Sequence, residues 1–166
     1  MGQASENPVH QDTTTGAAAS TRDAPHVHHG FTSGTQQVRD ALDHARSEVR
    51  ALGVEDAICD TSQIILGEVL NNVVEHAYQF DEGHPIELSI WLIPAGLLCA
   101  IQDQGALMPN GVPPAGVGPT IDTTSRDALP EGGFGWAMVR ELTQDLTYHR
   151  TNGHNDLSFV IPIPRP

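Results

Sequence analysis

The sequence predicts an α+β two-layer sandwich, with helices covering one face of a mostly antiparallel or mixed sheet. Three observations lead there: two helical periodicities come first, a close pair of apolar stretches joined by a tight turn follows, and a short helix then precedes two more strand-like stretches. At 166 residues the chain suits one compact domain with a sizeable core and is short for two.

Residues 1–30 carry almost no large apolar side chains and no periodicity, so they read as a disordered N-terminal tail that cannot offset its ordering entropy. The folded domain is placed at 31–166. Phe31 and Thr32 open a short edge strand. Ser33 or Thr35 then caps a helix reaching about Leu52, with Val38, Leu42, Ala45, Val49 and Leu52 at helical spacing. Gly53 ends it. A second helix starts near Glu55 and continues to about Tyr78, with a break expected around Asp60–Ser62.

The segment DEGHP is a turn, and IELSIWLI and LLCAIQ, joined by Pro94-Ala-Gly, form a hairpin. From Asp103 to Gly133 the chain is rich in Gly and Pro, and so long a structureless stretch inside a domain is usually functional. Phe134 to Leu142 reads as a short helix, LTYHR as a strand and LSFVIPI as a final alternating strand.

Composition excludes several classes. The formal net charge is −13, from 21 acidic and 8 basic residues, and every basic residue is arginine. A chain this acidic repels nucleic acid and anionic membrane, so neither is an expected partner. Without lysine there is no Walker-type phosphate loop. The chain lacks the basic start and apolar stretch of a signal peptide and any apolar run of about 18 residues, and is read as cytoplasmic. Cys59 and Cys99 lack metal-ligand spacing and read as small buried hydrophobes.

Three short pieces point to chemistry. In GEVLNNVVEHAY, positions four apart drift only about 40° around a helix, so Glu68, Asn72 and His76 form one slanting row. Leu66, Val69, Leu70, Val73, Val74 and Ala77 take the opposite arc, toward the sheet. Asn is a poor mid-helix residue, so the row calls for a reason beyond solvation. Asn71 lies in a separate, more solvated row with Glu75. In IQDQG an apolar strand ends at Asp103, whose carboxylate can accept a hydrogen bond from an exocyclic amine, and Gly105 permits close backbone approach. In PEGGFGWAMVREL three glycines run into an amphipathic helix, leaving free amides at a helix N-terminus, a ready anion site.

Taken in this order, the pieces resemble the boxes of the GHKL ATPase superfamily, whose members share the Bergerat, or histidine-kinase-like ATPase, fold. Glu68-x-x-x-Asn72-x-x-x-His76 matches its N box, Asp103-x-Gly105 its first glycine box and Gly133-x-Gly135 its second. LNNVVEHAY, LPEGGFGWAMVREL and the ending NGHNDLSFVIPI are similar to the versions found in the small anti-sigma factor serine/threonine kinases. The resemblance spans about Phe31 to Pro164.

The resemblance implies ATP and Mg²⁺ as cofactors. It implies that Asn72 coordinates Mg²⁺, that Asp103 reads the adenine amino group with Gly105 beneath the ring, and that Gly133 and Gly135 hold the β- and γ-phosphates. Glu68 is the implied general base, and His76 takes a structural hydrogen-bonding role at the pocket edge. Residues of about 106–131 correspond to a lid. Two positions depart from the group: Trp136 stands where a smaller aliphatic residue is usual, and Asn155 or Ser158 substitutes for a threonine beside adenine.

The implied activity is transfer of the ATP γ-phosphate to a serine of a STAS-type anti-anti-sigma protein, with sequestration of a sigma factor when unphosphorylated antagonist is scarce. A homodimer is implied by the resemblance alone. The alternative is a non-catalytic, nucleotide-gated protein-binding module with the same fold. An ATPase module severed from a histidine kinase is disfavoured, because the helix bearing His44 does not resemble a phosphoacceptor helix and no dimerisation hairpin is seen.

Overall fold

The computed structural model describes residues 23–116 and 134–164. Strand β1 (Val27–Thr32) is followed by helices α1 (Thr35–Ala51) and α2 (Asp56–Asn72) and a π-helical turn (Val73–Ala77). Strands β2 (Pro85–Ile93) and β3 (Gly96–Asp103), a 3-10 turn (Pro109–Gly111), helix α3 (Phe134–Leu142) and strands β4 (Gln144–Thr151) and β5 (His154–Pro162) complete the order. The strands form one sheet in the order β1-β2-β3-β5-β4, and each neighbouring pair is antiparallel.

Strand alternation sets the layers. Ile86, Leu88 and Ile90 of β2, Leu97, Cys99 and Ile101 of β3, and Leu157, Phe159 and Ile161 of β5 are buried toward the helices. Between them stand Glu87, Ser89, Ala100, Gln102, Asp156 and Ser158, which face outward. From the helix side, Val38, Ala41, Ala45 and Val49 of α1 and Ile65, Leu66, Val69 and Leu70 of α2 fill the same core. The result is the expected two-layer α+β sandwich. Among the described residues no helix is long and apolar enough to cross a membrane. Both cysteines are free and buried, and burial pushes the Cys99 thiol up to about 12.

Three expectations are corrected. The first strand starts at Val27, inside the segment assigned to the tail; residues 1–22 lie outside the described residues. A strand needs only backbone pairing and an apolar residue at alternate positions, and here Val27 is buried while His29 and Phe31 lean inward beside it. Ordering reaches back further still. The His26 amide donates to Ile90 O at 2.9 Å, and the Trp91 indole donates to Asp23 O at 2.6 Å.

Neither Ser33 nor Thr35 caps α1. The N-cap is Gly34, without a side-chain bond, and Thr35 is already helical. The buried Ser33 hydroxyl instead donates to Asp81 O at 2.7 Å and accepts from the His84 amide at 3.0 Å, tying the turn before β2 to the turn before α1.

No break occurs at Asp60–Ser62. Thr61 donates to Ala57 O at 2.9 Å and Ser62 to Cys59 O at 2.8 Å, so the hydroxyls bond back onto the helix instead of competing with it. Asp60 reaches across to α1, where Arg46 donates to it at 2.7 Å.

Candidate functional site

Glu68, Asn72, His76, Asp103 and Gly135, drawn from three separate stretches of the chain, line one cavity of about 840 Å³. Its walls are the C-terminal half of α2 with the π turn, the end of β3, residues 106–109 with Pro114, the start of α3, and Tyr148 and Asn155 of β4 and β5. Gly133 lies outside the described residues, as do residues 117–131 of the expected lid.

The slanting row on α2 is real, but its last turn differs from a plain α-helix. From Val73 the chain widens into the π turn, where the Tyr78 amide bonds to Val73 O at 3.0 Å. Such turns cluster at functional sites. Each residue of a π turn rotates by less than an α-helical step, and Glu75, expected on the more solvated side with Asn71, is exposed and also lines the cavity. The carbonyl of Ala77 accepts from the Ala106 amide at 2.8 Å, locking the helix end to the chain leaving β3. Tyr78 repeats the lock. Its hydroxyl donates to Pro85 O at 2.7 Å and accepts from the Gln104 amide at 2.8 Å. His76 sits exposed on the rim, and the hydrogen-bonding role expected of it finds no partner among the described residues.

Asp103 is 7% exposed at the end of β3. Its Oδ1 accepts from the Gly105 amide at 2.8 Å and from Asn155 Nδ2 at 2.7 Å. No donor among the described residues reaches Oδ2. Burial pushes the carboxyl above its ordinary range; the bonds from Asn155 and Gly105 and the nearby Arg150 charge pull it back.

Of the two substitutes weighed for the adenine-side threonine, Asn155 is the one at the site. Ser158 faces outward and pairs with Thr147 at 2.8 Å. Asn155 is itself held by Tyr148, whose hydroxyl donates to its Oδ1 at 2.6 Å, and by Arg150 Nη1, which donates to the same oxygen at 2.5 Å. Arg150 also donates to Gly105 O at 2.8 Å. Tyr148 and Arg150 escaped the sequence reading because they stand on an exposed edge strand, where pattern alone marks nothing. They share the sheet register with Leu157 and Asn155.

At the other end of the cavity, Asn72 Nδ2 donates to Glu68 O at 2.6 Å, while Asn72 Oδ1 accepts from the Trp136 indole at 3.0 Å. The Glu68 carboxylate rests on Gly135: a Cβ at that position would lie 2.0 Å from Glu68 Oε2. A Cβ at Gly105 would lie 2.6 Å from both Ala77 Cβ and Ala77 O, so this position has no room for a side chain. Arg140 of α3 donates to Pro114 O at 2.7 Å and Pro113 O at 2.6 Å, holding the described part of the expected lid to the helix.

The donor set suits a magnesium nucleotide. It offers one hard amide oxygen, a carboxylate beside a helix N-terminus and, at the far end over a glycine floor, a buried carboxylate whose second oxygen has no donor among the described residues. A sequence profile of the histidine kinase-like ATPase domain matches residues 31–161. The chain belongs to the histidine kinase-like ATPase domain family.

Within the family, the serine-protein kinase RsbW of Staphylococcus epidermidis is 28% identical over 95 residues, 57% of this chain and 60% of its own. The serine/threonine-protein kinase BtrW of Bordetella bronchiseptica is 33% identical over 102 residues, 60% of this chain and 68% of its own. The aligned part thus covers three-fifths of RsbW. ATP use is the family's shared chemistry, and the antiparallel sheet with helices on one face is its fold.

Proposed function

We propose that the protein is an ATP-dependent serine/threonine kinase of the anti-sigma type. It transfers the γ-phosphate of Mg·ATP to a serine of a STAS-type anti-anti-sigma protein and sequesters a sigma factor when that antagonist is scarce. What supports the reading is the convergence of Glu68, Asn72, Asp103 and Gly135 on one cavity, together with relatives named as serine and serine/threonine kinases.

In this reading Asp103 Oδ2 accepts from the adenine amino group, and the glycine floor at 105 lets the ring lie against backbone. Gly135 and Gly133, two positions apart in sequence, present amides to the phosphates. Mg²⁺, held through Asn72, supplies neutralisation of charge on the phosphates when bound. Glu68 takes the proton of the attacking serine hydroxyl as the oxygen–phosphorus bond forms and ADP leaves. Such proton transfer is worth roughly 10²–10⁴-fold, with positioning carrying the remainder.

A second reading, a nucleotide-gated binding module without transfer, is favoured by one contact, the indole hydrogen bond on the Asn72 oxygen. Two measurements separate the readings. Wild type should bind ATP better with Mg²⁺ than without, and Asn72→Ala should lose that difference. Glu68→Gln should then bind Mg·ATP normally and transfer no phosphate to a STAS-type protein. A wild type that binds Mg·ATP yet phosphorylates no such protein sinks the kinase reading and leaves the module.

A further inference from the structure

Trp136 is 6% exposed at the start of α3, and its indole nitrogen spends its hydrogen on Asn72 Oδ1 at 3.0 Å. An indole N–H is a donor only. The amide cannot turn over to release its oxygen, because Asn72 Nδ2 is committed to Glu68 O at 2.6 Å, and a turned amide would set donor against donor at the indole. Releasing the oxygen from this bond therefore requires Trp136 to move.

We propose that Trp136 competes with the metal ion for the Asn72 oxygen and so sets the Mg²⁺ concentration at which Mg·ATP is captured. The inference rests on the Mg·ATP reading of the cavity and adds to it a residue outside the implied metal and nucleotide ligands. An amide oxygen has a second lone pair, but a cation placed there faces the positive end of the indole dipole, and the two oppose each other. The indole lowers metal affinity whether it is displaced or stays.

The competition also links separate parts of the site. Trp136 follows Gly135, on which the Glu68 carboxylate rests, and a Cβ at Gly116 would lie 2.4 Å from the Ala137 amide. A shift of the indole is thus felt at the base, at the start of α3 and at the described part of the expected lid.

Trp136→Phe keeps a ring in the buried position and removes the hydrogen. Calorimetric ATP binding across a Mg²⁺ titration is the test, with metal-free ATP binding as the reference. The half-saturating Mg²⁺ concentration should fall about 2- to 10-fold, the worth of one hydrogen bond, while metal-free binding stays as in wild type. Trp136→Leu, which also lacks the donor, should behave alike if the phenylalanine variant misfolds.

A separate readout leaves Trp136 in place: in Trp91→Phe, the emission of Trp136 should shift on adding Mg²⁺ to the ATP complex. An unchanged or higher Mg²⁺ requirement in the variants, with normal ATP binding, overturns the proposal alone and makes the indole a support for Asn72. Absence of ATP binding by wild type, with or without Mg²⁺, overturns both the proposal and the reading on which it rests.

Discussion

Asn155 Nδ2 donates to Asp103 Oδ1 across 2.7 Å, and the two side chains are 3% and 7% exposed. The amide thus orients a buried carboxylate and supports its charge. Burial raises the Asp103 pKa and the Asn155 bond lowers it. If Asp103 reads adenine as proposed, accepting that hydrogen bond needs the ionised carboxylate, so ATP affinity should fall as pH drops through the folded-state pKa, which lies above the ordinary carboxylate value. Removing Asn155 removes a lowering influence. In Asn155→Ala the loss of ATP binding should begin at a higher pH than in wild type, besides a general weakening. Binding curves measured between about pH 4 and 8 check this; superimposable pH profiles would show that Asn155 does not support the charge.

Asp103→Asn tests the same carboxylate through stability. A carboxyl whose pKa is raised by folding binds more protons folded than unfolded, so its ionisation costs stability above the folded pKa. That cost fades as pH falls from the folded pKa toward the unfolded value and is gone below both. The substituted amide would keep an oxygen for Gly105 and Asn155 and carry no charge. Asp103→Asn should therefore equal or exceed wild type in urea stability at pH 7, with wild type gaining on it as pH falls through that window. Its amide nitrogen would offer a donor where the carboxylate accepts, so ATP affinity should drop and a 6-oxopurine triphosphate should lose less or gain. A variant that keeps full ATP preference would remove Asp103 from base recognition.

Gly105→Ala should damage fold and site together. The added Cβ meets Ala77 O at 2.6 Å and Ala77 C at 2.7 Å. These are backbone atoms at the end of the π turn, and they are fixed by the Ala106 amide at 2.8 Å. Nothing there can give way as a side-chain tip could. Overpacking of this kind costs about 1–3 kcal/mol, readable as a lower urea midpoint at unchanged slope, and ATP binding should fall with it. Wild-type stability in this variant would mean that the loop after β3 is not held against Ala77.

Much of this site was legible because it follows local rules. The spacing of Glu68, Asn72 and His76 is a helical period, Asp103 ends an apolar strand, and glycines before Phe134 mark a helix start. What escaped depends on where distant strands pair. Arg150 and Tyr148 reach Asn155 only through the β4–β5 register, and nothing in their neighbours along the chain announces it. The π turn is invisible to periodicity because one inserted residue shifts phase without breaking the apolar pattern. Both Glu75 and His76, exposed in that turn, line the cavity. The first strand was missed in part because a histidine-rich edge strand needs only one deeply buried residue, Val27. Trp136 was noticed for its size, yet its consequence, a hydrogen bond to Asn72, needed the packing of α3 on α2.

Gly135→Ala should separate stability from catalysis, in contrast to Gly105→Ala. The three nearest atoms to a Cβ at 135 all belong to the Glu68 side chain: Oε2 at 2.0 Å, Cδ at 2.9 Å and Cγ at 3.5 Å. A carboxylate tip can swing away at little cost, and alanine suits a helix better than glycine does. The thermal midpoint should hold or rise slightly. Glu68, displaced from its resting place, would no longer be placed to take a proton from an incoming hydroxyl. Phosphoryl transfer should fall at least as far as in Glu68→Gln. ATP binding should weaken less than transfer does, because Asp103 and Asn155 at the proposed adenine end are untouched. A measurement of transfer rate, nucleotide affinity and melting midpoint on this one variant decides the matter. Full transfer activity would place the working position of Glu68 away from Gly135, whereas a large loss of stability would mean that the carboxylate is not free to move.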